Sequence, residues 1–128
     1  MKVMAIDYGT KRIGVAVSQG TLAEPVAVFE NDQNIFNQLQ TIIDDQGVER
    51  IIIGLSENEM ADQTREFAQE METVITVPFE FFDETLSSQE VEERLKQKGI
   101  KQATRSGPID HFAAALILEE WLEQQKLN

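Results

Sequence analysis

Apolar residues run along this chain in two rhythms. Lys2 to Asp7 and Arg12 to Ser18 are nearly continuous apolar stretches joined by a short turn, which predicts two antiparallel neighbouring strands. A third strand is predicted from Pro25 to Glu30, with Pro25 at its start, where a missing N–H does least harm. The period then lengthens. Ile35, Leu39, Ile42 and Ile43 recur at helical spacing, with Asn31 or Asp32 placed to cap the helix and Gly47 to end it. Within Val48 to Gly54, the run Ile51-Ile52-Ile53 suits a strand buried on both faces. A helix around Met60 to Met71 and a strand from Val74 to Phe82, containing Pro78, follow. Ser87-Ser88-Gln89-Glu90 is a capping-box pattern opening a helix that Gly99 closes. The last helix is predicted from about Pro108 to Gln125, and Gln102 to Gly107 reads as the mobile loop before it.

A three-strand meander followed by crossover units implies an α/β fold, a mixed sheet with helices on its faces. With 128 residues and no internal repeat or linker, residues 1–128 read as a single domain. The chain has no cysteine, which excludes disulfides, zinc–thiolate sites and thiol catalysis. No apolar run reaches membrane-spanning length and the N-terminus lacks the marks of a signal peptide, so a cytoplasmic protein without a membrane partner is expected. The formal net charge of −12 argues against tight binding of long duplexes, whose partners usually present a basic face. It leaves room for a local basic patch.

Against that background, three acidic positions stand at the ends of elements. Asp7 closes the first strand and is followed by a turn carrying Gly9, Thr10, Lys11 and Arg12, where backbone and cations can approach one point. Asp83 and Glu84 close the fifth strand, and alternation leaves open which of them faces inward. Asp110 lies in the first turn of the last helix, in line with Ala114, Ile117 and Trp121 on the stripe that faces the sheet. Each has a plainer reading. Asp7 can cap its turn, the Asp83–Glu84 pair can be solvated, and Asp110 can complement the helix dipole. Taken together, carboxylates converging at strand ends repel one another unless a divalent cation sits among them. All-oxygen donors favour a hard ion, Mg²⁺ or Mn²⁺, and two such ions form the usual clamp for attack of water on a phosphodiester.

The segment Ile6-Asp7-Tyr8-Gly9-Thr10-Lys11-Arg12-Ile13-Gly14-Val15-Ala16 resembles the opening motif of the YqgF family. These are ribonuclease H-like proteins described as pre-16S rRNA nucleases and as Holliday-junction-resolvase-like. Ile53-Gly54-Leu55, Asp83-Glu84-Thr85-Leu86-Ser87-Ser88 and Ile109-Asp110-His111-Phe112-Ala113-Ala114-Ala115-Leu116-Ile117-Leu118 follow in the family's order, across essentially the whole chain. The resemblance implies a ribonuclease H-like fold with a central five-stranded sheet. It places Asp7, Glu84 and Asp110 at the family's acidic, metal-binding catalytic site, with Asp83 in reserve for Glu84. Gly9, Thr10, Lys11 and Arg12 match its substrate-binding turn. The implied activity is metal-dependent hydrolysis of phosphodiester bonds, in 5′-end processing of precursor rRNA or in branched DNA.

The chain departs from the family pattern where the substrate is gripped. Ser56 stands where Pro is common, Thr85 where Arg is usual, and Ser106-Gly107-Pro108 where relatives carry Lys or Arg. These departures and the acidic charge keep a non-catalytic partner domain in view. Nucleotide binding of the actin or sugar-kinase type, which shares an Asp-x-Gly-Thr loop, needs two such domains and finds only one here. His111 adjoins Asp110 but points about 100° away on a helix, so it reads as a surface or half-buried residue. Trp121 and the cluster Phe79, Phe81 and Phe82 read as core rather than as base-stacking platforms.

Overall fold

A computed structural model describes residues 1–55, 60–83 and 109–127. Three strands come first: β1 (Val3–Asp7), β2 (Arg12–Gln19) and β3 (Leu22–Glu30). They are followed by α1 (Ile35–Gln46), β4 (Arg50–Leu55), α2 (Met60–Glu72), β5 (Phe79–Asp83) and α3 (Ile109–Leu127). The strands form one five-stranded sheet in the order β3-β2-β1-β4-β5. β1 pairs antiparallel with β2 and parallel with β4, and β4 pairs parallel with β5. The mixed sheet flanked by helices is therefore as the pattern predicts, and β1 lies at its centre.

Strand alternation sorts the core into two layers. Met4 and Ile6 of β1, with Ile51 and Ile53 of β4, pack with Ile35, Leu39, Phe67 and Met71 of α1 and α2. Val3, Ala5 and Ile52 face the other way and pack with Ala114, Ile117, Leu118 and Trp121 of α3. The Ile51–Ile53 run is buried on both faces because it serves both layers at once. Burying each such isoleucine is worth roughly 1.5–3 kcal/mol.

Three boundaries depart most from the sequence expectation. β3 begins at Leu22, not Pro25, and carries Pro25 inside the strand. It can do so because β3 is at the sheet edge and its pairing with β2 is irregular there, Val15 opposing Ala27 and Ala16 opposing Pro25. β5 begins at Phe79 rather than Val74. The amides of Val74 and Ile75 are spent winding off α2, both donating to the Met71 carbonyl at 3.1 and 2.8 Å. Pairing with β4 starts only at Pro78, whose carbonyl accepts from the Ile51 amide at 3.0 Å. Finally, α1 is capped at Asn34, not at Asn31 or Asp32. Asp32 instead accepts the Asn34 amide through Oδ1 at 2.9 Å, an Asx turn that leads into the helix. Gly47 does close α1, in the left-handed conformation at φ 69°, with its amide on the Ile43 carbonyl at 2.9 Å.

The core expectation holds for the buried Trp121, and for Phe79 and Phe82, which are partly buried and pack against opposite layers of the core. Phe81 is the exception. It is 38% exposed and meets Phe79 edge-on at 5.7 Å, because β5 is an edge strand among the described residues. The capping box at Ser87–Glu90, the helix it opens and the Gln102–Gly107 loop lie outside the described residues. No helix among the described residues is long and apolar enough to cross a membrane.

Candidate active site

Because β1, β4 and β5 run parallel, Asp7, Leu55 and Asp83 end at one edge of the sheet. β2 runs the other way, so Arg12, its first residue, starts at the same edge. The chain leaves β1 toward β2 on one side and later places β4 on the other. Such a switch at the carboxyl ends of parallel strands is where α/β sheets usually receive their ligands.

Asp7 is half-buried at the end of the central strand. It shares the parity of Val3 and Ala5, which puts it on the α3 side of the sheet. Tyr8, next in sequence, takes the opposite side. Its ring sits 5.0 Å from that of Phe67 in α2, which in turn lies 5.3 Å from Phe36 in α1. The turn after Asp7 is thus anchored to both helices by an aromatic trio, a contact that Tyr8 alone does not announce in the sequence.

The turn itself is tight. A Cβ on Gly9 would stand 2.5 Å from the Arg12 carbonyl oxygen, closer than any side chain can sit to backbone. Glycine is required here for space. Thr10, Lys11 and Arg12 are exposed beyond it. From the end of β3, Asn31 reaches across: its Nδ2 donates to the Gly9 carbonyl at 2.9 Å and its amide donates to the Lys11 carbonyl at 2.9 Å. Asn31 was not readable as part of this site. Its sequence position, directly before a helical pattern, advertises a cap instead, and only the β2–β3 pairing of Arg12 with Glu30 brings it opposite the turn.

Of the other candidate residues, Asp83 ends β5 and Asp110 falls in the first turn of α3. Ala114, Ile117 and Trp121 of the same helix are buried against the α3 side of the sheet. Glu84 and the side chains of Asp83, Asp110 and His111 lie outside the described residues. Among the described residues no three His, Asp or Glu side chains gather into a metal site.

The chain matches the family model described as "RuvX: Holliday junction resolvase" over residues 1–124. It belongs to the RuvX family. A relative from Maridesulfovibrio salexigens named "Putative pre-16S rRNA nuclease" is 37% identical over 95% of this chain and 98% of its own length. One of the same name from Anaeromyxobacter sp. strain K is 33% identical over 98% of each chain. Among solved structures, this RuvX-family chain is similar to T. thermophilus RuvC in complex with a Holliday junction substrate. The TM-score is 0.61 at 15% identity, covering 98% of this chain and 96% of that one. It is also similar to the Fowlpox virus resolvase bound to Holliday junction DNA, at a TM-score of 0.55 and 11% identity over 98% and 99% of the two chains. At those identities the likeness is one of fold, and the fold is ribonuclease H-like, as the opening motif implied.

Proposed function

We propose that this chain is a metal-dependent nuclease that hydrolyses phosphodiester bonds in structured nucleic acid, with precursor 16S rRNA as its substrate. The observation that carries the reading is the half-buried Asp7 at the end of the central strand, beside the Lys11–Arg12 turn, at the edge where the parallel strands finish. Membership of the RuvX family and the names of the relatives support it.

The donors fit a hard divalent cation. They are carboxylates, the chain has no cysteine, and an acid half-buried at a strand end gains most from a compensating charge. Asp7, Glu84 and Asp110 are the residues we assign to hold Mg²⁺ or Mn²⁺. Glu84 is preferred to Asp83 because it stands at the family motif's acidic position in Asp83-Glu84-Thr85-Leu86-Ser87-Ser88. Asp110 is assigned from the family motif Ile109-Asp110-His111, in the first turn of α3. Bound there, the cation supplies Lewis acidity toward the phosphoryl oxygens. The exposed Lys11 and Arg12 steady the scissile phosphate, Thr10 offers a hydroxyl beside them, and Gly9 lets the backbone come close. Such local cations are how a chain of net charge −12 can still hold a strand.

Asp7→Asn tests the reading. Cleavage with Mn²⁺ should fall by about 100-fold or more while the melting temperature stays nearly unchanged, and undiminished cleavage removes the mechanism. The substrate is read from a panel of precursor rRNA, single strands and four-way junctions. Preference for the junction would favour the second reading, a branched-DNA resolvase, which the family's description supports. If the wild type cleaves nothing and binds Mn²⁺ no better than Asp7→Asn, the chain is a non-catalytic domain of this fold.

A further inference from the structure

We infer that Asn31 is the positioning residue of the phosphate-binding turn, setting how Lys11 and Arg12 are presented to the nucleic acid. The inference rests on the nuclease reading above only in that the turn's ligand is a phosphate. Its evidence is separate. Asn31 bonds the turn twice, through Nδ2 to the Gly9 carbonyl and through its amide to the Lys11 carbonyl, each at 2.9 Å. These two bonds bracket Thr10 and extend the β2–β3 ladder one step past the Arg12–Glu30 pair.

The consequence is electrostatic as well as mechanical. A carbonyl oxygen repels a phosphate, and a tight turn has nowhere to hide its own. Asn31 draws the Gly9 and Lys11 oxygens toward itself, so neither is directed at the substrate. The room for this is made by Gly9, since any Cβ there would force the Arg12 carbonyl away. Asn31 is only partly exposed, follows the last residue of β3, and precedes the Asx turn of Asp32 that starts α1. It is therefore held from both sides and can hold the turn in place. Asparagine suits the post because its amide donates while its length fits; aspartate would aim a carboxylate at the Gly9 carbonyl.

The test uses Asn31→Ala and Asn31→Asp in the full chain, with a fluorescent RNA duplex as the probe and no divalent metal present. Asn31→Ala should weaken binding by about 2- to 12-fold, the equivalent of one lost hydrogen bond, and Asn31→Asp should weaken it further. Placed in a Lys11→Ala background, Asn31→Ala should cost less, because one of the two cations it positions is gone. Amide exchange of residues 9–12 should quicken in Asn31→Ala while that of β1 and β4 stays slow. Unchanged exchange in the turn, or a binding loss that persists undiminished without Lys11, would overturn the inference. Failure of the nuclease reading shows separately, as cleavage that survives Asp7→Asn, and the exchange measurement still reports on Asn31.

Discussion

The first three strands are joined by two glycine-bearing turns at opposite ends of β2, and they use glycine for different reasons. Between β2 and β3, Gly20 and Thr21 form a two-residue hairpin, with Gln19 paired to Leu22. Gly20 is there for its backbone angle, φ 64°, and a Cβ on it would meet nothing within 4 Å. That is the glycine-first pattern of a II′ turn, whose twist matches the strands it joins. Gly9, between β1 and β2, has no positive φ and is needed for space alone. One turn closes a hairpin as simply as sterics permit. The other folds back on itself, is pinned by Tyr8 and Asn31, and exposes its cations at the edge where Asp7 ends. Constraint that chain reversal does not require is a better guide to a site than glycine content is.

Alanine substitutions can break or sharpen this contrast. The largest effect is expected from Gly9→Ala. Displacing the Arg12 carbonyl should cost about 1–3 kcal/mol of stability by thermal or urea unfolding, and nucleic-acid binding should fall with it. Retained affinity would mean that the shape of the turn is irrelevant to the ligand. Lys11→Ala comes next. It should leave unfolding unaltered while weakening binding across all sequences and lowering the salt dependence, log K against log salt, by about one. The smallest effect on function belongs to Gly20→Ala. Left-handed strain should lower stability by about 1 kcal/mol, and binding and cleavage should match the wild type once folding is complete. Equal losses of binding at Gly9 and Gly20 would show that both turns act merely by supporting the sheet.

The same contrast marks what could be read in the chain beforehand. The β1–β2 turn, the twofold-buried Ile51–Ile53 strand, the α1 stripe and its Gly47 stop were legible, because each is written in local periodicity or in a residue with unusual backbone freedom. The Gly20–Thr21 hairpin was not, because the apolar pattern puts the start of the third strand at Pro25. Asp7 was legible as a charge closing an apolar strand, although its plainer role as a turn cap was equally open. The start of β5 was not, because Val74 and Ile75 look like strand residues until α2 claims their amides. Phe81 looked like core, and only the position of β5 at the sheet's edge exposes it.

Sequence by itself determined the alternation of strands and helices, the mixed sheet they imply, and an acidic residue followed by a basic glycine turn. These are short-range facts, set by side-chain period and backbone freedom over a few neighbouring residues. Tertiary structure decided which side of the sheet Asp7 takes, which helices fix Tyr8, and that Asn31 serves the turn rather than the helix beside it. Those depend on strand register and on pairing between residues far apart in the chain, where a shift of one position would turn every side chain to the opposite face.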